Sequence, residues 1–241
     1  MFQLTHFTMG DMTKCGMELR KSGMSSNSME EAAGKIVHFI YNSFIDPETG
    51  KKSMALVRLF KTHNYMDLDQ DLQASSNSIL SFDEIPANMK CLTLLATVGD
   101  EPEWNSRDSS EGHKAIPLPS VELVRKFPMV SNLVKQFGLE LNSVLNPDPS
   151  CLQDLEETTY NVFLVSQANG SAYIPAQDDF VIPYGIKSVL GCGGILPTGN
   201  LFAVIMFSKQ TVSREVADLF KPLTLSIKMS LLKHDMGKVF S

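Results

Sequence analysis

Apolar positions along this chain fall into runs of two periods, helical near both ends and strand-like between them. Ser28-Met29-Glu30-Glu31 has the S-x-x-E form of a capping box, and Met29, Ala33, Ile36, Val37, Ile40 and Phe44 follow on one helical face. Asp46-Pro47-Glu48-Thr49-Gly50 closes that helix with a turn. Ahead of it, residues 1–27 read as a helical lead-in, with Met12, Cys15, Met17, Leu19 and Met24 loosely at helical spacing. Residues 53–61 alternate with period two, Ala55, Val57 and Leu59 against Leu56, Arg58 and Phe60. The first set is wholly apolar and is the expected core face. A polar segment follows to about residue 78, compatible with a helix, and 89–98 is apolar enough for a central strand.

The middle of the chain is less regular. A charged loop over 99–114 carries Trp104 and His113. Residues 115–120 lead into helical spacing at 121–127, which Pro128 interrupts and Val130, Leu133, Val134 and Phe137 restore up to Gly138. Asn146-Pro147-Asp148-Pro149 is an internal loop, and 158–165 reads as a strand before the turn at Asn169-Gly170. The last third is the most regular: a glycine-rich strand at 186–195, a turn at Pro197-Thr198-Gly199-Asn200 and a strand at 201–208 form a hairpin. Ser213 then caps a long helix with Val216, Leu219, Phe220, Leu223, Ile227 and Leu231 along one stripe, and Pro222 is expected to kink or break it.

Charge and composition narrow the function classes. The 241 residues carry a formal net charge of -6, with the basic residues scattered, which argues against nucleic acid or an anionic membrane as partner. No apolar stretch approaches the length of a membrane span, and the first residues lack a secretory apolar region, so a reducing cytoplasm is expected. Cys15, Cys91, Cys151 and Cys192 form no metal-binding spacing, and Cys91 and Cys192 sit in apolar runs as small hydrophobes do.

The order helix, strand, strand, insertion, strand, hairpin, long helix is similar to that of GAF domains. The closing unit carries the likeness: Gly185-Ile186-Lys187-Ser188-Val189-Leu190, the Pro197-Thr198-Gly199-Asn200 turn, Leu201 to Ser208, then Val216-Ala217-Asp218-Leu219-Phe220. Further strings resemble a GAF-like region of bacterial sensor proteins found ahead of histidine kinase, cyclase or phosphatase output domains. They are Cys91 to Thr97, Glu101-Pro102-Glu103-Trp104-Asn105, Gly112 to Leu118, Tyr173-Ile174-Pro175-Ala176-Gln177 and Pro183-Tyr184-Gly185-Ile186. The resemblance implies an α/β (α+β) fold with a mainly antiparallel sheet of about five or six strands. Terminal helices flank that sheet, and a helical insertion lies over about 105–157. One domain would span 28–232, between the lead-in and a tail over 233–241. It also implies a sensory or regulatory role in bacterial signal transduction, of the kind that feeds two-component systems. A small ligand would bind between sheet and insertion, and the terminal helices would pair in a homodimer. Unlike such sensors, the sequence carries no output domain after the last helix, so it signals either by itself or through a partner such as a histidine kinase or cyclase.

Gly191-Cys192-Gly193-Gly194 lacks phosphate-loop spacing, and glycines in a strand mark a bulge or close packing. Arg58, His63, Cys91, Trp104, His113, Tyr173, Tyr184 and Cys192 are the candidate ligand-pocket residues. Cys91 and Cys192 also admit a redox reading, that of a GAF-type free-methionine-sulfoxide reductase, although Cys192 has no basic neighbour and Cys91 only Lys90. His63 and His113 have no accompanying spacing that favours a metal or haem, and no cofactor is identified. The acidic pairs Asp178-Asp179, Glu156-Glu157 and Glu30-Glu31 read as solvated faces or helix-start charges, and no nucleophile motif is present. No enzyme activity is therefore indicated. A ligand-free dimerisation module is the alternative to ligand sensing. The segments 173–176 and 180–184 are either a pocket wall or the cover of a sheet edge.

Overall fold

The computed structural model describes residues 1–79, 85–86, 88–110, 113–148 and 161–240. A six-stranded sheet runs through its centre in the order β3-β2-β1-β6-β5-β4, and every pairing is antiparallel. The strands are β1 (Met54–Asn64), β2 (Lys90–Gly99), β3 (Ala115–Leu118), β4 (Phe163–Val165), β5 (Ser188–Ile195) and β6 (Leu201–Ser208). Residues 115–118, expected to lead into a helix, instead pair with β2 as the edge strand, Cys91 opposite Pro117 and Leu92 opposite Ile116. Pro117 is tolerated because an edge strand leaves one row of donors unused. The part of the expected fourth strand before residue 161 lies outside the described residues.

Each face of the sheet carries its own core. On one side lie α1 (Met9–Met24), α2 (Met29–Ser43), α7 (Arg214–Asp218) and α8 (Lys221–Leu232), burying Leu19, Ile36, Val37, Leu223 and Ile227 with Val57, Leu59 and Val204. The Ser28 cap is formed: its Oγ accepts from the Glu31 amide at 3.0 Å. The lead-in is part of this layer, since Cys15 and Leu19 are fully buried in it. The final helix breaks as Pro222 predicts, Pro222 taking the first turn of α8 where its missing N–H costs nothing.

The second face is covered by α4 (Val121–Val124), α5 (Pro128–Gln136) and α6 (Leu141–Leu145), with the chain between β4 and β5. The Leu56, Arg58 and Phe60 side of β1 is thus buried as well; the insertion provides a core that an apolar first face alone does not reveal. Gly193 explains the glycine-rich strand. A Cβ there would lie 2.9 Å from both Ala203 Cα and Phe137 Cε2, so its absence lets β6 and the end of α5 close on β5. The β5–β6 register runs without a shift, so close packing and not a bulge accounts for these glycines.

A further helix, α3 (Gln70–Ile79), covers a small cluster of Tyr65, Leu68, Leu72, Met89, Cys91 and Ala115 near β3. The last residues return to the start of α2, where the Met29 and Glu30 amides donate to the Lys238 and Val239 carbonyls at 3.0 and 2.8 Å. No helix among the described residues is long and apolar enough to cross a membrane.

Candidate functional site

A cavity of about 550 Å³ lies between the insertion face of the sheet and the segments that cover it. Its floor is built by strand alternation: Leu56, Arg58 and Phe60 of β1, Leu92 of β2, and Ala203, Ile205 and Phe207 of β6. Ile116, Phe127, Leu133 and Ile174 add apolar walls. Arg58 stands in the middle of the floor, opposite Thr97 on one neighbouring strand and Ile205 on the other.

An aromatic cluster closes one side. Trp104 meets Tyr184 edge-on at 4.5 Å and Phe180 at 5.4 Å, and Phe180 meets Phe207 at 4.9 Å. Such edge-to-face pairs add to their burial energy and fix ring orientation. Trp104 is held by backbone: Thr97 Oγ1 donates to its carbonyl at 2.9 Å, and Gly99 leaves room for the indole, where a Cβ would lie 2.7 Å from Cε3. The chain bearing Phe180 is pinned by Gln177, whose Oε1 accepts from the Gly170 amide at 2.8 Å while Nε2 donates to the Ile174 carbonyl at 2.7 Å. His113, Pro175, Ala176 and Asp179 are exposed and line the cavity, so it reaches solvent on their side.

The structure brings four of the eight sequence-selected residues together, namely Arg58, Trp104, His113 and Tyr184. The other four lie elsewhere. His63 is buried near the end of β1 under Phe240, with ring centroids 5.4 Å apart. Cys91 lies beneath α3, its Sγ 3.4 Å from Ser76 Oγ. Cys192 packs in the helix-side core with Cys15, on the opposite face from the cavity. Tyr173 is 47% exposed and does not line it, although its neighbours Ile174, Pro175 and Ala176 do. The two aromatic segments thus serve as cavity wall. Ser110, Gln177 and the apolar liners Ile116 and Leu133 are not among the candidates selected from the sequence, because none carries a local signal that marks a site.

Electrostatics separate Arg58 from the thiols. Desolvation lowers the Arg58 guanidinium to about 10, and its Nη2 donates to the buried Ser110 Oγ at 3.2 Å. Its Nε is buried and has no partner among the described residues. Burial pushes the Cys15 and Cys192 thiols up to about 12 and raises Cys91 as well. These groups are the reverse of the accessible, low-pKa thiolate that redox chemistry requires.

No family model matches the chain, and no curated protein matches it. Among solved structures it is similar to the GAF domain of an Acinetobacter phosphoenolpyruvate-protein phosphotransferase, at 13% identity over 92% of each chain with a TM-score of 0.41. The phycoerythrobilin-bound GAF domain of a cyanobacterial phytochrome aligns at 9% identity over 94% of this chain and 98% of that one, with a TM-score of 0.43. An N-acylhomoserine lactone dependent LuxR family transcription factor from Burkholderia cenocepacia aligns at 8% identity over 94% and 96%, with a TM-score of 0.40.

Proposed function

We propose that the protein is a sensory or regulatory domain that binds a small ligand in the cavity between its sheet and its insertion. The observation that carries this reading is the cavity itself. Its volume of about 550 Å³ suits a small molecule, and an apolar lining with a few convergent polar groups is the usual form of such a site. The signal passes through α1 and α8 to a second copy of the chain and on to an output partner such as a histidine kinase or cyclase. The stripe Phe220, Leu223, Ile227 and Leu231 is buried within the chain, so the pairing surface is the other side of α8. There Leu225 and Met229 are 58% and 50% exposed, and Leu232 continues the row at helical spacing. The exposed row Leu225, Met229 and Leu232 also suits a ligand-free interaction module, which would have no use for the cavity.

Two measurements test this. Scanning calorimetry with small apolar compounds is expected to raise the Tm of the wild type by several degrees at about a hundredfold excess over Kd. The cavity-filling Ile116→Phe variant is expected to lose most of that rise. A rise equal in both proteins, or none with any compound, would remove the ligand reading. Light scattering is expected to show a dimer that Met229→Glu converts to monomer; a wild-type monomer at high concentration would remove the pairing.

A further inference from the structure

We infer that the ligand is an amphipathic acid: an apolar, ring-sized body seated among the aromatic and aliphatic walls, with one oxyanion held by Arg58. This rests on the cavity being a ligand site and specifies what that site selects. Arg58 is the cation of an otherwise apolar floor whose neighbours are Leu56, Phe60, Leu92, Ile205 and Phe207. A guanidinium offers five N–H donors in a planar fork, and the structure assigns one hydrogen bond to it, from Nη2 to Ser110 Oγ at 3.2 Å. Among the described residues Nε is buried without a partner, and no carboxylate lies within ion-pair distance of Arg58.

An unpaired cation in such surroundings is expensive to keep, and an oxyanion accepting from the open edge of the fork compensates it in the geometry arginine matches best. Ser110, itself buried, holds the fork through Nη2. Among the described residues the acidic group that lines the cavity, Asp179, is exposed and belongs to the solvent-facing side. A ligand therefore enters with its acid towards the sheet and its apolar body against Trp104, Phe180 and Tyr184. A dianion or a large polar head does not suit one guanidinium in an apolar chamber.

The test compares two fluorescent probes of nearly the same shape, the anionic anilinonaphthalene sulfonate and the neutral phenylnaphthylamine. Trp104 is the chain's one tryptophan and lines the cavity, so energy transfer from it that is lost in the cavity-filling Ile116→Phe variant reports a probe bound there. Wild-type protein is expected to bind the anion at least about tenfold more tightly than the neutral probe, as a charge-assisted bond in a dry site implies. Arg58→Gln is expected to remove that preference while still binding phenylnaphthylamine with unchanged transfer, which shows that the cavity and the fold persist. Equal affinity of the wild type for both probes, or a preference that survives Arg58→Gln, would overturn the acid assignment and leave the cavity reading standing. Absence of transfer from Trp104 to either probe would overturn both.

Discussion

Gly23 on α1 and Ser230 on α8 meet backbone to backbone: a Cβ on Gly23 would overlap Ser230 Cα and lie 2.8 Å from its carbonyl carbon. This contact fixes how closely the first and last helices approach. Ser230 Oγ donates to the Leu19 carbonyl at 2.6 Å, and Arg20 Nε donates to Ser226 Oγ at 3.2 Å, so the seam is hydrogen-bonded as well as tight.

Three glycine-to-alanine changes separate packing from propensity. Gly23→Ala forces backbone apart and is expected to cost about 1–3 kcal/mol, the usual range for overpacking. At Gly16 the nearest atom to an added Cβ is the Ser226 side-chain oxygen at 3.0 Å, which can turn aside, so a smaller loss is expected. Gly34, inside α2 with nothing within 4 Å, is expected to gain up to about 1 kcal/mol as alanine. Urea unfolding of the three variants measures the order; equal effects at Gly23 and Gly34 would contradict the seam.

His63 gives the fold a pH dependence. Burial, reinforced by the neighbouring Lys61 ammonium, lowers its pKa to about 3, whereas the unfolded chain titrates near 6.5. The unfolded state therefore binds the extra proton between those values. The contribution of neutral His63 is complete above about pH 6.5 and is lost as pH falls towards 3, at up to about 1.4 kcal/mol per pH unit. His63→Phe is expected to flatten that part of the urea midpoint's pH profile. Removing residues 238–241, and with them the Phe240 ring that covers His63, is expected to weaken the dependence by letting water in. An unchanged profile in both would contradict a buried neutral imidazole.

The thiols are expected to be inert. Cys15, Cys91 and Cys192 are buried with raised pKa values. Native protein treated with iodoacetamide should accept at most one label by intact mass, and a Cys91→Ser, Cys192→Ser double variant should respond to peroxide as the wild type does. Rapid labelling of Cys192 would reopen redox chemistry.

The fold's frame was legible because its signals are local. The capped helix beginning at Met29, the Leu201–Ser208 strand and the break at Pro222 each follow from spacing and a cap or proline. The short edge strand Ala115–Leu118 was not legible, since four residues with a proline carry no period and only pairing with β2 makes them a strand. Of the site, Arg58, Trp104, His113 and Tyr184 were among the candidates taken from the sequence. His63 and Cys192 were as conspicuous, yet Cys192 faces the helix-side core and His63 lies under the chain's own C-terminal Phe240. Alternation on a strand says which residues share a face; it does not say which of two buried faces retains a cavity.

The most direct measurement is a methyl NMR titration of the isotope-labelled protein with phenylnaphthylamine. The account predicts shifts concentrated at Leu56, Leu92, Ile116, Leu133, Ile174 and Ile205, which line the cavity, while Leu19, Ile36, Leu223 and Ile227 across the sheet stay in place. Shifts confined to Leu225 and Leu232 on the outer side of α8, or no shifts at all, would contradict a ligand site between sheet and insertion.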